Sequence, residues 1–376
     1  MIAEFFGSIP AMILLTGILV GASGAILGTF LVLRGNAMLT DAISHSIVFG
    51  IIVVWLLTQQ LAGPVQLIGA ALTGLLTVIL TEALARSRLV RMDAAIGLVF
   101  PALFAAGVIL ISLYARKVHI DVETVLLGEI GFVWLHTIPI GGAAVPVAVA
   151  SLGAVLVVNL VFVVALWKEL KLASFDPGLA AALGFAPGVL HYALLGLTSV
   201  TAVAAFDAVG AILFIAFVIV PPATAYLLTR RLWLMIALAV ALSVAACVAG
   251  YALALWWNVS IAGMMATMTG VWFALALLFA PGRGLIAQAL GWRTARLDHD
   301  CRALVAHLHT HQDTDSMAEE NTLRALITHL RWSEPRARAA VLRAHDRDLI
   351  ERRHGLLTLR PKGQAEVEAI FGRPAG

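Results

Sequence analysis

The chain has 376 residues, 61% of them apolar and 12% charged, with a formal net charge of +3 and a mean hydropathy of +0.96. Soluble domains carry about 45–50% apolar and about 25% charged residues. No soluble fold hides this much apolar surface, so an ordinary cytosolic enzyme, a disordered chain and a fibrous protein are excluded. Two cysteines, Cys247 and Cys301, exclude a disulfide scaffold and a cysteine-rich metal cluster. A polytopic helical membrane protein remains.

Residues 1–281 hold 10 Lys/Arg and 10 Asp/Glu, whereas residues 282–376 hold 15 and 12. The break at Pro281-Gly282-Arg283-Gly284 therefore ends a nearly uncharged body and opens a charged tail of 95 residues, long enough to fold by itself.

A bilayer-crossing helix needs about 20 mostly apolar residues. The first candidate, 11–33, carries Gly17, Gly21, Gly24 and Gly28 at small-xxx-small spacing, which permits close helix packing. Glu4 is the sole charge ahead of Arg34, so this run lacks a basic n-region and reads as a retained span rather than a signal peptide. Further candidates follow at 39–57, 65–85, 94–114, 143–167, 191–206, 208–228, 232–256 and 261–280. Arg34, Arg86, Arg88, Arg91, Lys168, Lys171, Arg230 and Arg231 fall on one side of the membrane, against Arg116 and Lys117 on the other. The positive-inside rule puts the first group, and hence the tail, in the cytoplasm, with the N-terminus outside. Eight crossings instead of nine would leave one segment re-entrant or start the chain inside.

Ionisable residues within spans cost about 2.5–3.5 kcal/mol on insertion scales and mark functional sites. The second span opens with Asp41-Ala42-Ile43-Ser44-His45-Ser46, which puts a carboxylate and an imidazole one turn apart on one helix face. Such a pair is either half of a divalent transition-metal site, completed by a second copy about a symmetry axis, or a structural Asp–His contact that packs the span. Asp207, between two spans, reads as a helix N-cap or a vestibule charge. Asp121, Glu123 and Glu129 fall in the outer loop near 118–136. Glu82 and Asp93 read as ordinary partners of Arg86 and Arg91. No Walker-type phosphate loop, His-Glu-x-x-His pair or Gly-x-Ser-x-Gly elbow occurs, so any ATP hydrolysis belongs to another subunit.

Between the fifth and sixth spans, Asp176 can cap a short helix that starts at Pro177 and ends at Gly184. This small-residue helix facing the cytoplasm calls for a partner surface. In the tail, helices over 302–309, 319–331 and 335–345 precede strands at 349–352 and 356–360 around a turn at His354-Gly355, then a closing helix over 362–371. Three helices and a hairpin read as a winged helix. Its third helix carries Arg336, Arg338 and Arg343, and His307, His309 and His311, with Asp313, are candidate metal ligands.

Three stretches of the body resemble the membrane permease subunit of ABC-type uptake systems for manganese, zinc and iron. They are Leu33-Arg34-Gly35 with the following Asp41–Ser46 helix start, the segment from Ser174 to Gly184, and Ala208-Val209-Gly210 through Ile219-Val220-Pro221-Pro222-Ala223. Phe49 and Asp207 depart from the family pattern. The tail's Leu-Thr-Leu-Arg-Pro-Lys-Gly run, 357–363, resembles the wing of metal-dependent repressors of the iron and manganese type. The resemblance implies an all-α polytopic bundle of eight or nine transmembrane helices, of the ABC importer type, over 1–281. A linker at 282–297 and a small cytoplasmic α+β winged-helix domain at 298–376 follow. It implies that Asp41 and His45 line a metal path and that Phe175, Asp176, Pro177, Ala181, Ala182 and Gly184 belong to a coupling helix at about 174–186. The implied partners are an ATP-binding cassette subunit, an extracytoplasmic metal-binding receptor, and a second permease in a homodimer or close heterodimer, in the cytoplasmic membrane. Mn2+, Zn2+ or Fe2+ would be cargo, with no resident cofactor and no enzymatic activity in this chain. The tail is expected to contact the ATPase or another tail rather than duplex DNA. The alternatives from other classes are a cation-gradient-driven secondary transporter, for which the sequence offers no clear inverted repeat, and a membrane-anchored metal-responsive regulator.

Overall fold

The structure is a computed structural model that describes residues 8–59, 64–115, 130–140, 143–312, 314 and 316–371. It divides into two compact units, Met1–Ala280 and Pro281–Gly376. In the first, helices α1 (Ile9–Leu33), α2 (Ala37–Thr58), α3 (Pro64–Arg86) and α4 (Met92–Tyr114) follow one another, with short turns from α1 to α2 and from α3 to α4. Each is apolar over a membrane-spanning length, and helical because a backbone without water must satisfy its polar groups inside its own segment. Arg116, Lys117, Asp121, Glu123 and Glu129 lie outside the described residues.

The fifth span starts later than its hydropathy predicts. Thr137–Ile140 (β1) and Ala143–Pro146 (β2) pair antiparallel, and helix α5 (Val147–Ala165) begins only after Pro146, its N-cap. Trp167 then opens a separate helix, α6 (Trp167–Phe175), followed by the six-residue α7 (Pro177–Ala182). Next comes α8 (Pro187–Leu228), whose 42 residues hold two spans joined without a loop. The junction is Gly210, at φ 77° and ψ 168°, a conformation closed to residues with a Cβ. The backbone is helical through Asp207, so that residue does not cap a new helix; the break falls three residues later. Helices α9 (Leu232–Trp257) and α10 (Ile261–Phe279) complete nine spans among the described residues.

The core of this unit is the contact of α1 with the second half of α8, where Leu27, Phe30, Phe214, Phe217 and Val218 are buried. The α1 glycines let the two backbones meet. A Cβ on Gly28 would lie 1.9 Å from the Val218 carbonyl oxygen, and one on Gly24 would lie 3.1 Å from the Val218 side chain.

The second unit begins with α11 (Leu285–His311), which is helical through 285–297, where the sequence suggests a linker. The segment 319–331 is not one helix but two, α12 (Met317–Glu320) and α13 (Leu323–His329). They part at Asn321 and Thr322, where Thr322 caps α13 through Ala325 N–H and forms a β-bridge with Leu356. Helix α14 (Glu334–Asp346) leads to a hairpin, β3 (Ile350–Arg353) with β4 (Leu356–Leu359), and α15 (Pro361–Phe371) closes the chain. His354 and Gly355 both take positive φ, 51° and 89°, as a two-residue hairpin turn requires. Leu304, Leu308, Leu326, Ala340, Ile350 and Leu357 form the core of this unit.

Replacing Gly28 by Ala drives a methyl into rigid backbone and is expected to cost about 1–3 kcal/mol or more. Gly17→Ala meets only the Cys247 and Met265 side chains at 3.3 Å and is expected to be mild. Thermal unfolding of the two variants in detergent checks the contrast.

Candidate metal path and docking face

Helix α2 enters from the Arg34-Gly35-Asn36 turn, in which Gly35 takes φ +70°. Asp41 and His45 follow on the first two turns. His45 Nε2 stands 3.4 Å from Asp41 Oδ1, longer than a well-made N–H···O bond, and the side chains are 33% and 38% exposed. The His45 ring stacks on Phe100 at 5.6 Å and meets Phe104 edge-on at 6.4 Å, both on α4. Ala42, Ile43, Ser44 and Ser46 between and after the pair are buried, whereas Met38, one turn before Asp41, is 58% exposed. The carboxylate and imidazole thus share the least-covered stripe of α2. One nitrogen and one carboxylate can hold a divalent cation only in part; a closed site needs ligands from elsewhere.

A second ionisable group lies deeper than the sequence suggests. Glu82 does pair with Arg86, at 3.3 Å, but it is buried, and its main partners are on α8. Oε1 stands 2.5 Å from His191 Nε2, and Oε2 accepts from Tyr192 Oη at 2.5 Å. A carboxylate so placed ties the end of α3 to the start of α8. Asp93 fits its expected role, an exposed residue 4.0 Å from Arg91.

The same end of the bundle carries the short helix. Arg34 Nε donates to Ser174 Oγ at 3.0 Å, which joins the α1–α2 turn to the end of α6. Burial lowers the Arg34 pKa from its ordinary value, and its Nη2 is shielded with no hydrogen-bond partner among the described residues. Asp176 Oδ1 accepts from Leu179 N–H at 2.9 Å, so it caps α7 as expected, and Gly184 takes φ +87° beyond its end. Ala180 is buried against Ala173 and Leu190 and anchors the helix. Phe175, Asp176, Pro177, Leu179, Ala181, Ala182, Leu183 and Gly184 are exposed, a largely apolar face with small residues at its centre.

In the second unit His307 and His311 come together, with ring centroids 4.8 Å apart; His309, two residues from each, lies exposed on a different face of α11. Asp313 is outside the described residues. The residues that join His307 are instead Glu320 and His329. The arginines of α14 are engaged by acids. Arg336 makes a two-pronged pair with the buried Asp300, at 2.9 and 2.6 Å, Arg343 reaches Asp298, and Arg338 pairs with Glu334.

The model of the ABC 3 transport family matches residues 9–280. The chain belongs to this family. It is 50% identical over 284 residues to the manganese transport system membrane protein MntD of Bacillus subtilis (strain 168), across 75% of this chain and 96% of that one. It is 43% identical over 357 residues to the zinc transport system membrane protein TroD of Treponema pallidum (strain Nichols), across 95% of this chain and 97% of that one. The TroD match therefore runs far into the second unit. Among solved structures, PsaBC from Streptococcus pneumoniae in complex with Fab aligns with a TM-score of 0.62 and 30% identity, across 75% of this chain and 98% of that one. The chain is an integral membrane transport subunit, not an enzyme.

Glu82→Ala leaves the part-buried His191 and Tyr192 without their carboxylate. We expect a loss of about 1–3 kcal/mol, against a much smaller loss for Asp93→Ala at its exposed pair, read from thermal melts of the two variants in the same detergent.

Proposed function

We propose that this chain is the permease subunit of an ATP-driven importer for divalent metal, Mn2+ or Zn2+ first and Fe2+ next, and that Asp41 and His45 line the metal path. The observation that carries the reading is the Asp41–His45 pair on the open stripe of α2 in a member of the ABC 3 transport family. Two permease copies that face each other across this stripe, as a homodimer or close heterodimer, would bring four ligands to one ion. Each protomer's pair is loose, so the ion binds without a deep well and can leave, as transport needs. The names of MntD and TroD support manganese and zinc as cargo.

The ion would be delivered outside by a metal-binding receptor and driven by two ATP-binding cassette subunits docked on α7. The exposed apolar face of Phe175, Leu179, Ala181, Ala182 and Leu183 supports this docking. Arg34 and Glu82 supply the transmission: one joins the docking segment to the turn that leads into Asp41, the other joins α3 to α8. The eight basic residues that the span order puts on one side support a cytoplasmic α7 and tail. The tail itself we read as a winged-helix module. Its support is the order α11, α13 and α14 ahead of a hairpin, with the short α12 between, and an isolated bridge from Thr322 to Leu356 beside that hairpin. Because Arg336, Arg338 and Arg343 are spent in ion pairs, the module suits protein contact, with the ATPase or another tail, rather than a DNA groove.

Asp41→Ala and His45→Ala are each expected to abolish uptake of radioactive manganese and zinc in cells that express the complete system, with normal amounts of folded protein in the membrane. Normal uptake by both would leave the pair a packing contact. Ala181→Arg or Ala182→Arg, on the exposed face of α7, is expected to lose co-purification with the ATPase and metal-stimulated ATP hydrolysis; unchanged co-purification and uptake would remove α7 as the docking element.

A further inference from the structure

We infer that His307, Glu320 and His329 form a binding site for a divalent transition-metal ion, zinc before manganese, in the second unit. This rests on the geometry of that unit and not on the transport reading. One ligand atom from each residue lies within 4.8 Å of the others, and the three residues come from three elements, α11, α12 and α13. His329 Nδ1 stands 2.5 Å from Glu320 Oε2. That oxygen is nevertheless shielded from solvent without a hydrogen-bond partner among the described residues, so the contact is close but not aligned as an N–H···O bond. A shielded carboxylate oxygen that lacks a donor is costly, and a cation coordinated there removes the cost. His307 comes from the other side, its Nε2 3.3 Å from the Glu320 carbonyl oxygen. His311 packs against it one turn further along α11, with the two rings tilted to each other.

Two imidazoles and one carboxylate are a borderline donor set, suited to Zn2+ and Fe2+ and less to the harder Mn2+. Zinc binds nitrogen and oxygen at about 2.0–2.2 Å in a tetrahedron, which separates neighbouring donors by roughly 3.3 Å. His329 and Glu320 would part by less than 1 Å to reach this, and His307 would turn from the Glu320 carbonyl toward the ion. The fourth position falls to His311 or water. Bound metal would tie the last turn of α11 to α13 across the Asn321–Thr322 break, so the fold of this unit would respond to metal concentration.

The test uses full-length protein in detergent, carrying Asp41→Ala to silence the body pair, in metal-free buffer. Zn2+ alone, and then Mn2+ alone, is titrated in competition with a chromophoric chelator. We expect one Zn2+ per chain, Mn2+ at least tenfold weaker, and at least tenfold weaker Zn2+ binding on His329→Ala and on Glu320→Gln. His309→Ala is expected to bind as its parent does. His329 is half exposed, so its variant should keep the parent's circular dichroism and melting temperature, and loss of binding then reads the ligand rather than the fold. No saturable Zn2+ in the parent, or parent-like binding by both His329→Ala and Glu320→Gln, overturns the site. Loss in His309→Ala with binding kept in His329→Ala overturns this ligand set in favour of α11 alone.

Discussion

The body depends on how closely α1 can approach α8. Lipid gives no hydrophobic reward for bringing two apolar helices together, so the contact must come from dispersion at short range. Gly21, Gly24 and Gly28 provide that range by presenting bare backbone to Phe217 and Val218. The other helices arrange about this pair: α9 and α10 on one flank, where Gly250 lets the α10 backbone in at Met265, and α3 on the first half of α8, where Gly74 admits Ser199. A bundle held by such contacts is tight at the centre and leaves α4 and the open stripe of α2 less covered.

Within this apolar frame the polar groups divide into two kinds. Thr16, Thr29, Ser44, Thr198, Thr224 and Ser243 donate to the carbonyl four residues earlier in their own helix and are inert. A few others reach between helices, such as Thr77 to Ser46 at 2.6 Å and Asn159 to Thr201 at 3.0 Å. Charge enters the described part of the body chiefly at Asp41 with His45 and at Glu82 with His191. The first pair is loose and half open, the second short and enclosed. Enclosure suits a joint that must hold.

Much of this was legible in the sequence because hydropathy over about 20 residues reports the bilayer directly. The Asp41–His45 pair was legible because four residues is one helical turn, and the cap at Asp176 because Asp-Pro opens a helix in only a few ways. The hairpin before α5 was not, since Ala143, Ala144 and Val145 run on into the apolar stretch of the fifth span and such residues read alike in a strand and a helix. Glu82 was misread for a physical reason. An acid four residues before an arginine at a helix end is the pattern of a solvated pair, and what buries it is His191, 109 residues away. In the tail, helical spacing alone separates His309 from His307 and His311. Glu320 and His329, however, reach His307 only because the chain breaks at Asn321 and Thr322, where a continuous helix was expected.

The break at Gly210 has a mechanical consequence. Two spans that share a loop can shift independently by as much as the loop allows, but those of α8 share a single residue. A tilt begun near His191, beside α7, has no loop to take it up beyond the one residue Gly210, and it reaches Phe217 and Val218 as a change of angle. Those residues lie against the bare backbone of α1, whose own end turns through Gly35 into Asp41. The segment that carries α7 and the start of α2 are therefore connected twice, once directly through Arg34 and Ser174 and once around the whole length of α8. A closed loop of stiff parts of this kind has few independent ways to move.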